Sequence, residues 1–286
     1  MKPPVFDYLD PRTVDEVLDL LADQECDVAI LAGGQSLVPL LNLRLARPDV
    51  VVDINRIAGL DQVAVTDSAV LIGAMARLSV LEHDGNLVEV LPVVPEAIGL
   101  VAHPQIRNRT TIGGSLCHAD PSAELPAVAV ALGATMHLRS SAGVREQSAA
   151  EFFQTVFTTS RRPDELLTAV EFPRHAGFRF CFEEVSRRHG DFPFVGLCLG
   201  LRVANGVVVE ARLAVCGVAE RPVRLAGAES AFVGMPLPSD LAPVLDAASS
   251  EVEPPTDTHG SSSYRRALLR TLLRRAVARF DQGVQR

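Results

Sequence analysis

The sequence has few of the features that fix a function at sight. Its five cysteines, Cys26, Cys117, Cys181, Cys198 and Cys216, are scattered and form no CxxC pair. That set excludes a disulfide framework and a complete zinc or iron–sulfur site. No apolar run reaches the roughly 18 residues of a membrane span. The opening MKPPVFDYLDPRT has no apolar stretch of the kind a secretory signal needs. A cytoplasmic, reduced protein is expected. Basic character is missing too. The formal net charge is −8 and the isoelectric point is near 5.4, which argues against nucleic acid, whose phosphates call for a basic face. The arginine pairs Arg161-Arg162, Arg187-Arg188 and Arg274-Arg275 read as solvated faces or a docking surface.

Familiar catalytic signatures are absent as well. There is no GxGxxG fingerprint and no GxxxxGK[ST] loop. There is no GxSxG turn, since Ser36 sits in GGQSL and Ser115 in GGSL. The histidines, His83, His103, His118, His137, His175, His189 and His259, show no HExxH or other metal spacing. All but His118 read as surface or satisfied core residues; His118 with Asp120 is placed to orient the loop that holds both. No internal repeat is visible.

What remains is an ordinary globular composition, 48% hydrophobic and 22% charged over 286 residues, enough for two or three domains with real cores. Its most distinctive stretch is LAGGQSLVP, Leu31 to Pro39, echoed by TTIGGSLCHA, Thr110 to Ala119. Each pairs adjacent glycines with a serine within two residues. Adjacent glycines let backbone N–H groups approach a ligand without Cβ interference and permit positive φ. Successive amides turned into one concavity form an anion nest. Two such nests point to a pyrophosphate gripped from both sides by backbone and hydroxyl groups, without a lysine.

Around these loops, Thr13 and Glu16 form a capping box for a helix with Val14, Val17, Leu18 and Leu21 on one face. A strand at Val28–Leu31 leads into the first loop, and a buried helix is expected over Ser36–Leu45. Arg47-Pro48 ends it, and Val50–Ile54 is a strand closing a βαβ-like unit. Val63–Thr66 and Ala69–Ile72 read as a hairpin. Leu87–Ala102 reads as a helix broken by Pro92 and Pro95. Pro121–Leu132 reads as a helix capped by Asp120, with Glu124 in its first turn. Strands are expected at Ala134–Leu138, Val144–Gln147 and Leu166–Phe172, then a meander at Phe178–Ser186, Phe194–Val203 and Val207–Gly217. The last two are joined by Asn205-Gly206, a strong hairpin signal. Helices follow at Pro222–Phe232, Asp240–Ala248 and Tyr264–Phe280.

Three segments carry a resemblance: AGGQSLVPLLNLRLARPDVVVDINRI (32–57), RNRTTIGGSLCHADPSAELPAVAVALGA (107–134) and RRHGDFPFVG (187–196). Together they resemble the FAD-binding medium subunit of the molybdenum hydroxylases, the flavoprotein family of carbon monoxide dehydrogenase and xanthine dehydrogenase. The resemblance covers essentially the whole chain. It implies an α+β fold, with a two-subdomain FAD-binding domain of the vanillyl-alcohol-oxidase (PCMH) type over 1–175, divided at about 57. A C-terminal flavoprotein domain of antiparallel sheet and helices follows over 176–286. By the same resemblance, Ala32, Gly33, Gly34, Gln35 and Ser36 wrap one side of the FAD pyrophosphate, and Leu37 and Asp120 count among the cofactor contacts. Thr111, Ile112, Gly113, Gly114 and Ser115 wrap the other side. Glu124 accepts hydrogen bonds from the adenosine ribose, Leu167 packs on the adenine or flavin, Val101 and Ala102 line the flavin, and Phe192 lies near the isoalloxazine. No catalytic acid or base and no metal ligand is implied.

Three departures from the family's habit stand out. Ser115 replaces a common asparagine and Phe192 a frequent tyrosine, and Glu183-Glu184 occupy a region where a lysine is often found. Loss of that cation is expected to lower the flavin potential or weaken support for the reduced, anionic flavin. The implied function is electron transfer within a larger enzyme. Molybdopterin belongs to a large subunit and two 2Fe-2S clusters to a small one. FAD on this chain passes electrons to an external acceptor, in a dimer of heterotrimers. Two readings compete: a flavin-free assembly or docking subunit whose loops persist as turns, and a stand-alone FAD oxidoreductase.

Overall fold

The capping box is formed. Glu16 N donates to Thr13 Oγ1 over 3.2 Å, and Glu16 Oε2 accepts from Thr13 N over 3.3 Å. The helix Val14–Ala22 then buries Val17, Leu18 and Leu21 in a cluster with Val52 and Ile54. Behind them lies a parallel sheet in the order Asp7–Leu9, Val50–Asp53, Val28–Leu31. The computed structural model describes residues 2–281 apart from Gln24 and Pro238. Position 1 and positions 282–286 of the two expected domains lie outside the described residues.

Parallel strands need a crossover, and here it departs from expectation. The helix between Val28–Leu31 and Val50–Asp53 spans only Leu37–Asn42, and of its residues Leu41 alone is buried. Arg44 at φ 58 reverses the chain, so Leu43 and Leu45 stand 56% and 73% exposed. The expected buried helix over Ser36–Leu45 is a short surface one.

A five-stranded antiparallel sheet comes next, in the order Val63–Val65, Ala69–Gly73, Leu166–Pro173, Thr135–Ser140, Gly143–Ser148. The late strand Leu166–Pro173 sits at its centre. The helix Glu124–Leu132 packs here with every residue buried, as its lack of a polar face requires. It starts later than expected. Its N-cap is Ala123, and Asp120 Oδ1 accepts instead from Ser122 N over 2.8 Å. Asp120 therefore closes the preceding turn and does not cap the helix.

The third sheet is the antiparallel meander Phe178–Val185, Val195–Ala204, Val207–Cys216, Val223–Arg224. At its tight turn Asn205 and Gly206 take φ 52 and 75, as a primed turn demands. Side chains alternate between its faces. Leu197, Leu199, Leu213 and Val215 meet the helices Ala226–Phe232, Ala242–Ser250 and Ser262–Asp281. Phe182, Cys198, Ala214 and Cys216 join the core around Glu124–Leu132. The expected helix from Pro222 begins only at Ala226, because Val223 and Arg224 add a fourth strand beside Val215 and Ala214. Among the described residues no helix is long and apolar enough to cross a membrane.

Candidate functional site

The parallel sheet and the five-stranded sheet bring one glycine loop each to the same place. Residues 32–36 run straight off the end of Val28–Leu31. A Cβ on Gly33 would lie 2.2 Å from Arg109 O and 2.9 Å from Thr110 Cα. A Cβ on Gly114 would lie 3.7 Å from that of Ala32. Two stretches far apart in sequence thus share one junction, and Gly33 is the residue that permits the approach.

The two loops are not alike. No backbone N–H of residues 33–36 donates a hydrogen bond among the described residues, and Gly34 takes φ 75. Free amides beside a glycine at positive φ are what an anion nest requires. The second loop is the helix Ile112–His118, and its first amides are already engaged. Ile112 N donates to Ala76 O over 3.0 Å, Gly113 N to Ala74 O over 2.9 Å, and Ser115 N to Thr111 O over 3.0 Å. Gly114 N donates to the capping Thr111 Oγ1 over 3.1 Å. The expected second nest is therefore not formed. Gly113 serves close packing instead, since a Cβ there would come within 2.5 Å of Ala74 Cβ. Thr111, Ile112 and Gly113 are buried, and Ser115 stands half-buried at the edge of the junction. Gln35 folds back, Nε2 donating to Gly33 O over 3.2 Å, and Leu37 opens the helix behind.

A second group forms around Val101 and Ala102. Ala102 takes φ 47, and both carbonyls accept from Arg107 Nη1, over 3.0 and 3.2 Å. Arg107 is buried and forks onto Glu82, Nε to Oε2 over 2.7 Å and Nη2 to Oε1 over 3.1 Å. A Cβ on Gly190 would lie 2.6 Å from Ala102 O, so the loop that carries Phe192 docks on this turn. Phe192 itself is 59% exposed. Arg107 and Glu82 carry no signal in the sequence beyond the nearness of Arg107 to the second loop; their pairing is a tertiary fact.

Other expected residues fall elsewhere. Leu167 is buried in the main core and presents no open surface. His118 makes no bond to Asp120; its ring packs on Phe157 with centroids 4.8 Å apart, and burial lowers its pKa. Glu124 is buried as well, and burial, followed by the charge of Asp120, pushes its carboxyl up to about 7. Glu183 and Glu184, consecutive on a strand, face opposite ways. Glu183 pairs with Arg275 over 2.7 Å and with Arg279 over 3.4 Å. Glu184 is pushed up to about 8 by burial and then by the charge of Glu124, and its Oε2 is buried without a partner. Among the described residues no group of three or more His, Cys, Asp or Glu is arranged to hold a metal ion.

Two facing glycine loops, one with unpaired amides, fit the diphosphate of a flavin nucleotide. The class is that of a FAD-binding flavoprotein, and similarity to known proteins narrows it. Residues 4–175 match the family described as FAD binding domain in molybdopterin dehydrogenase, and residues 180–280 the CO dehydrogenase flavoprotein C-terminal domain. The chain is 41% identical to the 6-hydroxypseudooxynicotine dehydrogenase complex subunit alpha of Paenarthrobacter nicotinovorans, over 98% of this chain and 95% of that one. It is 38% identical to the caffeine dehydrogenase subunit beta of Pseudomonas sp. strain CBB1, over 98% and 96%. A chain of quinoline 2-oxidoreductase from Pseudomonas putida 86 superposes with a TM-score of 0.95 at 37% identity, over 99% of both chains. The chain belongs to the FAD-binding medium subunits of the molybdenum hydroxylases. It is a FAD-dependent oxidoreductase subunit with a role in electron transfer.

Proposed function

We propose that this chain accepts electrons from the 2Fe-2S clusters of a small partner subunit and passes them to an external acceptor, while substrate is oxidised on a large molybdopterin subunit. The assembly is a cytoplasmic dimer of heterotrimers, and the chain divides into working domains at 175/176. Bound FAD supplies the redox chemistry, in one- or two-electron units. The chain's own residues bind, orient and screen it. The free amides of residues 33–36 would cradle the diphosphate, with Ala32 and Leu37 framing them. Thr111, Ile112, Gly113, Gly114 and Ser115 supply the opposing wall. The turn at Val101 and Ala102, held by Arg107, docks the loop that carries Phe192, whose exposed ring would stack beside the flavin. Asp120 and Glu124, which follow the second loop in the chain, would serve the nucleotide end.

The observation that carries this reading is the meeting of the two loops with the amides of 33–36 unpaired. Gly33→Ala drives a methyl group into the Arg109 backbone, and Gly114→Asp sets a carboxylate on the junction. The full chain is expected to purify yellow with one flavin per chain, and both variants to lose it, as read from the flavin absorption band. Stoichiometric flavin in both variants would overturn the assignment. A colourless wild-type chain that takes up no added FAD would favour a flavin-free docking subunit.

A further inference from the structure

Between the loops lies a side chain to which neither loop sequence points. Arg77 precedes the short helix Leu78–Leu81, and its backbone pairs antiparallel with Thr111. From there the half-buried guanidinium crosses the junction between the parallel and five-stranded sheets. Its Nη1 donates to Arg109 O and its Nη2 to Asn55 Oδ1. Asn55 Nδ2 donates to Ala32 O over 2.8 Å, with a longer bond to Leu31 O, and to Asp53 Oδ1 over 2.6 Å. Tyr8 OH steadies the other Asp53 oxygen over 2.6 Å. A continuous run of bonds therefore joins Ala32 O, at the head of one glycine loop, to Arg109 O, at the threshold of the other. Arg109 O is also the atom that Gly33 packs against.

A ligand gripped by two separately rooted loops binds tightly only when their spacing is fixed beforehand. Packing alone fixes it loosely here, because the loops touch through glycine and alanine, which offer little surface. A planar guanidinium with two committed acceptors fixes it better than any single bond, and lysine cannot copy that fork. We propose that Arg77 and Asn55 form a tie that sets the spacing of the two glycine loops and so prepares the chain to hold a dinucleotide. The inference rests on the reading that these loops hold FAD. Both are positioning residues; they act through the loop carbonyls.

The test is a double-variant cycle in the full chain, with Arg77→Met, Asn55→Ala and the pair, using FAD as probe after the flavin is removed. Each single variant is expected to weaken FAD binding roughly tenfold, as befits the loss of a charge-assisted hydrogen bond. The double variant is expected to be hardly weaker than either, since one broken link opens the whole tie. In the flavin-free chain, amide exchange should quicken at residues 33–36 and 110–114 and stay unchanged in the meander. Arg77→Lys should not restore affinity. Wild-type affinity with unchanged exchange in both single variants, or strictly additive losses, would overturn the tie. If Arg77→Met fails to fold, Asn55→Asp keeps the acceptor for Arg77 but loses the donor to Ala32 O, and it must show the same weakening. If the wild-type chain binds no FAD, the functional reading fails, whereas the exchange measurement still decides the tie.

Discussion

Glu184 occupies a half-buried position with Glu124 as its charged neighbour, and among the described residues no cation offsets either. Its folded pKa, about 8, lies above the ordinary carboxylate value of 4.5. The native state therefore holds this proton more tightly than the unfolded chain does. The stability it contributes is complete below the ordinary carboxylate range and is lost as pH rises toward the folded value. Glu184→Gln removes that loss. The variant is expected to match the parent near pH 4 and to melt about 2–4 °C higher near pH 8.5, by scanning calorimetry of the flavin-free chain. Arg107 makes the opposite case. It is buried, its partner Glu82 is half-buried, and the guanidinium anchors two carbonyls, so Arg107→Met leaves a largely screened carboxylate uncompensated. A cost of about 2 kcal/mol is expected in denaturant unfolding, below that of a fully buried pair, with weakened flavin binding at the Val101 and Ala102 turn.

At the scale of elements, the Asn205-Gly206 turn separates conformational strain from crowding. A Cβ on Gly206 meets nothing within 4 Å, yet φ is 75. Gly206→Ala should cost about 1 kcal/mol and leave flavin content untouched, in contrast with Gly33→Ala. That turn was legible because its signal is local, as was the Thr13–Glu16 capping box. The second glycine loop is opaque in sequence for the opposite reason. Gly113 and Gly114 look free in sequence, but the carbonyls of Ala74 and Ala76 and the hydroxyl of Thr111 take up the amides of residues 112–114. Two of those acceptors lie more than thirty residues upstream. Glu183 and Glu184 look like one acidic feature in sequence, whereas the pleat of the strand sends one to Arg275 and the other toward Glu124. The Leu37–Asn42 helix is shorter than its sequence suggests because the leucines that follow it look like core yet stand exposed. The adjacent glycines of the first loop are readable in the sequence. The tie through Arg77 and Asn55 is not, since its links join segments that only the fold brings together.

Across the whole molecule, the final helix is pinned to the flavin-binding half. Arg279 bridges Glu96 on Val93–Leu100 and Glu183 on the meander. These groups are partly exposed, so their contribution is modest and salt-sensitive. Arg279→Ala should lower stability by about 1 kcal/mol at low salt, with the difference shrinking in concentrated salt. Apolar packing makes the firmer link. One face of the helix Glu124–Leu132 lies on the five-stranded sheet, and the same core takes in Phe182, Cys198, Ala214 and Cys216 of the meander.

That shared helix means that the two matched segments, 4–175 and 180–280, are not interchangeable parts. A gene fragment ending near 175 would leave an apolar helix uncovered on one side, and the flavin module would come out of the cell insoluble. Heating the intact chain should give one cooperative transition, with calorimetric and van't Hoff enthalpies in agreement. The unit that selection can move between enzymes is therefore the entire chain.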